Sequence, residues 1–179
     1  MASPFDRLMD TARPHLPGAI DTAIKQELFM VCHTFFNMSD TWREDIDFVS
    51  VAGSKEADVM PFAGRILRLL SVEQNGVPVR GATMKNVMDG IISLPYEAGG
   101  ADNYKAKVSL TVTDPASRDA YPIIPYEIAQ RYQDVLLHGL LAHMLAQPSK
   151  PYTNLSLAQF YLLKFKGGID REGGAAGGK

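Results

Sequence analysis

From Pro125 to Gly168 the apolar positions fall at helical spacing twice, on either side of a proline-flanked break: PYEIAQRYQDVLLHGLLAHMLAQPSKPYTNLSLAQFYLLKFKGG. Pro125 suits a first helical turn, where its missing N–H would have had no partner. Ile128, Tyr132, Val135, Gly139, Ala142 and Ala146 follow as one stripe, with Leu136, Leu140 and Met144 beside it and Leu137, Leu141 and Leu145 beyond. A helix apolar on nearly every side is a helix covered on several faces. Gly139, Ala142 and Ala146 leave one flank small enough for another backbone to come close. Gln147 and Pro148 end this helix, and Ser149, Lys150, Pro151 and Tyr152 form an elbow. A second helix begins near the capping residues Thr153 and Asn154. Its apolar face is Leu155, Ala158, Leu162 and Phe165. Lys164 and Lys166 suit its last turn, and Gly167-Gly168 are expected to stop it.

The other end of the chain is also helical in pattern. Pro4 to Ala12 reads as a short helix capped by Ser3, broken by RPHLPG. A long helix over Ala19 to Asn37 has the seam Ile20, Ile24, Leu28, Val31, Phe35 and Met38, with Asp21, Lys25 and Gln26 facing away. The single tryptophan, Trp42, lies just past its end. The middle then changes period. Asp47–Val51, Gly64–Val72, Gly90–Leu94 and Tyr104–Val112 read as strands, and KAKVSLTV alternates as a half-exposed antiparallel strand does. Asn75-Gly76 between apolar runs is a hairpin signal, because both residues tolerate positive φ. Ser54–Asp58 and Glu97–Asn103 read as loops, and Asp114-Pro115 and Tyr121-Pro122 punctuate the return to helix.

Neither helical end buries its apolar face alone, so the two must pack together. The expected fold is α+β: a helical bundle from residues 1–42 and 123–168 with an inserted antiparallel β-sandwich or barrel-like lobe at 43–122. Residues 169–179 hold one large apolar side chain, Ile169, then Asp170, Arg171 and Glu172 and a glycine–alanine run. Such a segment buries too little to order itself and reads as a flexible or partner-ordered tail.

Two stretches resemble a known family. The glycine inside a long apolar helix (Gly139), the elbow Gln147-Pro148, Lys150-Pro151-Tyr152, and then Ala158, Tyr161, Phe165 and Gly168 resemble the C-terminal half of head–tail adaptor proteins of tailed bacteriophages. These are also called connector or head-completion proteins. The motif LPGA before the long helix, followed by FFNMSDTWR, is similar to the opening of the same family. The elbow aromatic of that pattern is often tryptophan, and Tyr152 fills its place. The resemblance covers most of Leu16 to Ile169 and is carried by the helical parts, since in the insert only strand order matches. It implies a virion structural protein at the head–tail junction, assembled as a commonly twelve-fold ring below the portal protein. The ring would join the portal to a downstream tail or nozzle protein and let DNA pass through its lumen. The resemblance further implies that Gly167, Gly168, Ile169, Asp170 and Arg171 belong to a tail that docks on the portal. Gly139, Pro148, Pro151, Tyr152, Phe165 and Trp42 would be packing and elbow residues.

Composition changes this picture little. A chain of 179 residues, 46% hydrophobic and 21% charged, suits one globular domain or one with an inserted lobe. Cys32 is the sole cysteine, which excludes an internal disulfide, and its apolar surroundings read as a buried thiol. A formal net charge of −2 without basic runs argues against a main task of gripping phosphates, and suits a conduit that lets DNA slide. The first ten residues lack a secretory pattern and no apolar run reaches membrane-spanning length, so the expected protein is soluble and made in the cytosol.

Candidate chemistry is sparse. His138 and His143, two of four histidines, are five apart and do not share a helix face; no HExxH or cysteine pair suggests zinc. GGAAGGK at Gly173–Lys179 matches GxxxxGK but lacks the following Ser or Thr and the strand before it. Glu44-Asp45-x-Asp47 reads as a solvated turn at a helix-to-strand junction, and Arg65 and Arg68 as the solvent side of an edge strand. Tyr96, Tyr104, Tyr121 and Tyr126 would seal the lobe's base or a subunit contact. No catalytic residue, cofactor or metal is assigned. Two other readings stand beside the adaptor: a small α+β enzyme or ligand-binding protein whose site no motif announces, and another phage neck or tail-completion protein.

Overall fold

The computed structural model describes residue 3, residues 5–114, 117 and 120–177, with side chains through 174. Pro4, Pro115 and Lys179, named above, lie outside the described residues. The chain divides into two compact units, Met1–Thr41 with Val112–Lys179, and Trp42–Thr111. The inserted lobe is therefore shorter at its C-terminal side than the sequence suggests, because residues 112–122 belong with the helices.

The first unit contains α1 (Asp6–Ala12), α2 (Asp21–Ser39), α3 (Tyr126–Arg131), α4 (Gln133–Leu145) and α5 (Leu155–Gly177). The N-cap of α1 is Phe5, without a side-chain cap, and not Ser3 as expected; Ser3 lies two residues earlier, where its hydroxyl accepts from Phe5 N at 3.2 Å and Asp6 Oδ2 accepts from its N–H at 2.7 Å. Arg13–His15 form a 3₁₀ turn rather than a plain break. α2 ends at Asp40, whose φ of 52° is left-handed. Ile24, Leu28, Val31 and Phe35 form the expected seam and are buried, whereas Ile20 and Met38 are 68% and 65% exposed. Ile20 precedes the helix in extended conformation, and Met38 turns outward in the last turn.

The long apolar helix is in fact two. Tyr132 (φ −103°, ψ 12°) separates α3 from α4. Its ring is 6% exposed and sits with centroids 5.0 Å from Phe35 and 6.4 Å from Phe36. Backbone bonds continue across the break, Tyr132 N to Ile128 O at 3.2 Å and Leu136 N to Tyr132 O at 3.0 Å. α4 then runs with eight buried residues and no polar face, in contact with α1, α2 and α5.

α5 corrects two expectations. Gly167-Gly168 do not stop it, and residues 169–177 are helix rather than a detached tail. A glycine in a helix interior costs about 1 kcal/mol relative to alanine, and packing outweighs that here. A Cβ at Gly168 would stand 2.7 Å from Val135 Cγ1, one at Gly173 would lie 3.5 Å from Ser39 Cα, and Ile169 is 5% exposed. These glycines let α5 lie close to its neighbours.

The second unit has two antiparallel sheets, β1-β7-β3-β4 and β2-β6-β5. The strands are β1 (Arg43–Val49), β2 (Glu56–Asp58), β3 (Arg65–Gln74), β4 (Val77–Pro78), β5 (Thr83–Asn86), β6 (Ile91–Ser93) and β7 (Asn103–Thr111). Asn75 (φ 51°) and Gly76 (φ 80°) join β3 to β4 in the left-handed region, as a two-residue hairpin requires. Asp47 lies in a strand as expected, but that strand, β1, begins at Arg43 and ends at Val49, so Glu44 and Asp45 belong to it and not to a turn: Ile46 and Phe48 point to the core while Asp45 and Asp47 alternate outward. Part of the polar loop at Ser54–Asp58 is β2, paired with β6. Among the described residues β3 is flanked by β7 along most of its length, but by β4 only at Glu73 and Gln74. It is thus an edge over the stretch that carries Arg65 and Arg68.

Candidate functional site

The C-terminal residues that carry the family resemblance, Gly139 to Gly168, lie in the helical unit, whereas Trp42 of the N-terminal motif lies in the sheet unit. Gly139 on α4 is where α2 and α5 meet it: a Cβ there would stand 2.6 Å from Val31 Cγ1 and 2.9 Å from Phe165 Cδ2. Phe165 itself is 2% exposed and Ala158 5%. The small flank read from sequence is the seat of an aromatic ring.

The elbow is held by side-chain bonds. Ser149 takes a left-handed φ of 59° after Pro148. Thr153 Oγ1 donates to Gln147 O at 2.6 Å and accepts from Lys150 N at 3.0 Å, which folds Pro151-Tyr152 back toward α4. Tyr152 OH donates to Gln147 Oε1 at 3.0 Å, and Asn154 caps α5 through Leu157 N at 3.0 Å. Leu145 O, an otherwise orphaned end carbonyl, accepts from Asn154 N at 2.9 Å.

From Gln147 the network reaches α2. Gln147 Nε2 donates to Glu27 Oε1 at 3.3 Å, and His143 Nδ1 lies 3.3 Å from Glu27 Oε2. The bond with His143 holds the Glu27 carboxyl below its ordinary range against the opposing effect of partial burial. Burial, and then the Glu27 charge, push the Tyr152 phenol up. Sequence reasoning set His143 aside because no second ligand shared its helix face. Its partner came from another helix, a pairing that spacing along one chain segment does not reveal.

Beside this network runs a groove of about 600 Å³, lined by Glu27, Ala142, His143, Ala146, Ala158 and Leu162 among others. It offers one carboxylate and one imidazole on mostly aliphatic walls. Leu155, at its edge, is 62% exposed and Leu162 36%, so the face expected to be buried as Leu155, Ala158, Leu162 and Phe165 is half in the core and half outside. Around the helix Phe160 (49%) and Leu163 (72%) extend the apolar exposure.

The remaining singled-out residues are dispersed. Gly167, Asp170 and Arg171 are on the exposed side of α5, Arg171 with its Nε 2.9 Å from Glu172 Oε1, whereas Gly168 and Ile169 face the bundle. His138 stacks on Tyr161 at 5.8 Å, and its burial beside Lys164 lowers its pKa. Trp42 is 2% exposed in the sheet unit, its ring under Gly64. Tyr96 and Tyr104 belong to the sheet unit and Tyr121 and Tyr126 to the helical one. Tyr104 stacks on Phe48 at 5.3 Å and Tyr121 on Phe5 at 5.7 Å, each within its own unit, while Tyr126 is 55% exposed. Cys32 is fully buried, which pushes its thiol pKa far up.

Among the described residues no three His, Cys, Asp or Glu side chains are placed to hold a metal ion, and no helix is long and apolar enough to cross a membrane. No protein-family model and no curated protein matches the chain.

Proposed function

We propose that this chain is a virion structural protein, a head–tail adaptor that assembles as a ring between the portal and a downstream tail or nozzle protein and surrounds the DNA exit channel. The observation that carries the reading is the α4–elbow–α5 hairpin. There Gly139 seats Phe165 and Tyr152 bonds Gln147, while α5 turns Leu155, Phe160 and Leu163 into solvent at 62%, 49% and 72% exposure. Large apolar side chains set among Gln159, Lys164 and Lys166 on the outer side of a helix suit a subunit that buries them in an assembly. The mild net charge of −2 is in keeping with a lumen through which DNA slides.

The test is sedimentation velocity and negative-stain electron microscopy of the purified chain, alone and mixed with portal rings of its phage. Rings with an open centre, seated on one end of the portal, are expected. A protein that stays monomeric and does not bind the portal refutes the assignment.

A further inference from the structure

Two dipeptides in this chain carry the side chain and the successor that close most readily to a cyclic imide, Asn75-Gly76 and Asp89-Gly90. A glycine successor leaves the attacking amide nitrogen unhindered, because it has no Cβ. The other asparagines, Asn37, Asn86, Asn103 and Asn154, are followed by Met, Val, Tyr and Leu, whose side chains crowd that nitrogen.

The structure treats the two glycine pairs differently. Asp89 is held: its Oδ2 accepts from Asn86 Nδ2 at 2.5 Å and its N–H donates to Asn86 Oδ1 at 3.3 Å, while Gly90 has no room for a Cβ against Val59 O. Asn75 and Gly76 are both exposed, and nothing lies within 4 Å of a Cβ built at Gly76. Among the described residues the Asn75 side-chain amide has no hydrogen-bond partner. The turn they form is held by β4, a strand of two residues paired with β3 at Glu73–Pro78 and Gln74–Val77. Pro78 has no N–H to add to that ladder, and Val77 is 66% exposed. Beyond it Val79 N donates to Val72 O at 2.8 Å. A hairpin tip tied by so few bonds opens at little cost, so the backbone reaches the angles that ring closure needs.

We propose that Asn75 is a site of spontaneous deamidation and isomerisation, with water as the co-reactant and no enzyme. The Gly76 nitrogen loses its proton and bonds to Asn75 Cγ. The Cγ–Nδ2 bond breaks, and Nδ2 leaves as ammonia with that proton. Water then opens the imide. Opening at the main-chain carbonyl carbon routes the backbone through Cγ and gives isoaspartate, and opening at Cγ gives aspartate. Nothing is oxidised or reduced, and either product carries one more negative charge. That charge arises beside Asp47, Glu73 and Lys105, which line the same cleft of about 520 Å³ as Asn75. Isoaspartate also lengthens the turn by one backbone atom, which a two-residue loop between paired strands accommodates only by disturbing their register. The site goes beyond the ring reading and does not depend on it.

The experiment incubates the full-length chain at mildly alkaline pH, folded and, in parallel, unfolded in guanidinium chloride. Tryptic peptides are then resolved by mass spectrometry with electron-transfer fragmentation, which separates isoaspartate from aspartate. Conversion of Asn75 in the folded chain within about tenfold of its rate in the unfolded chain is expected, chiefly to isoaspartate. Asn37, Asn86, Asn103, Asn154 and Asp89 should be unchanged over the same interval. Asn75→Gln should suppress the reaction, because glutamine closes the larger ring far more slowly. The isoaspartate form, isolated by ion exchange, should exchange its Val79 amide proton several-fold faster than Asn75→Asp, whose backbone is unaltered. An Asn75 that stays intact in the folded chain while the unfolded chain converts overturns the proposal, and so does equal conversion at Asp89.

Discussion

Gly139 offers the sharpest test of the bundle. A Cβ at this position would lie 2.6 Å from Val31 Cγ1 and 2.9 Å from both Cδ2 and Cε2 of Phe165. Val31 is fully buried and Phe165 2% exposed, so neither has free space to retreat into. Gly139→Ala gains about 1 kcal/mol of helix propensity. Overpacking a close-packed site costs about 1–3 kcal/mol, so the net expectation is a loss of about 0–2 kcal/mol. In a chain of this size each kcal/mol moves the melting temperature by about 2–4 °C. The decisive variant is the pair Gly139→Ala with Val31→Ala. Val31→Ala alone leaves a void worth about 1.5–3 kcal/mol, and the methyl group that Gly139→Ala adds would partly fill it. The double variant should therefore be more stable than the sum of the singles by about 1 kcal/mol. Urea unfolding followed by circular dichroism at about 222 nm, where helical peptide groups absorb, reads the helical unit directly. Strict additivity, or a Gly139→Ala variant stabilised by its full propensity gain, would show that α2, α4 and α5 do not converge on this position.

Other outcomes follow from the same packing. Removing residues 169–179 should lower the helical unit's stability by about 1–3 kcal/mol, because Ile169 is buried, and an unchanged urea midpoint would detach that segment from the bundle. Gly76→Val should destabilise the β3–β4 hairpin by about 1–2 kcal/mol, since φ of 80° suits no β-branched residue, whereas Asn75→Asp should be nearly silent; tryptophan fluorescence of Trp42 reports both. Glu27 has a folded pKa below its ordinary 4.5, so its contribution is complete above that pH and disappears as pH falls through the lower folded value. Glu27→Gln should flatten stability against pH below about 4.5 and leave the remainder of the profile unchanged, and an unaltered acid slope would deny the Glu27–His143 bond a role.

The elements most legible in the sequence were those whose signal is local. Helical spacing identified α2 and α4, the Asn75-Gly76 pair located its hairpin, and the Asn154 cap marked the start of α5. The acidic segment Glu44-Asp45-x-Asp47 misled because charge suggests a turn, while its alternation with Ile46 and Phe48 is the pattern of a strand. Gly167-Gly168 misled for a related reason. Taken alone a glycine pair ends a helix, and nothing within the segment reveals Val135 waiting on another helix.

By itself, then, the sequence determined the periods: where side chains repeat every three to four residues, where they alternate, and which turns demand positive φ. These depend on backbone sterics and nearest neighbours, which travel with the residues. Only the tertiary structure decided what each small or polar residue was for. Gly139 became a seat for Phe165 because two other helices cross there. Glu27, His143 and Gln147 became one network because α2 and α4 pack side by side, over a separation of 116 residues between Glu27 and His143. Leu155 and Leu162, apolar on paper like their buried neighbours, were left on a groove because burial is a property of what lies opposite a side chain, and no pattern along one segment contains that information.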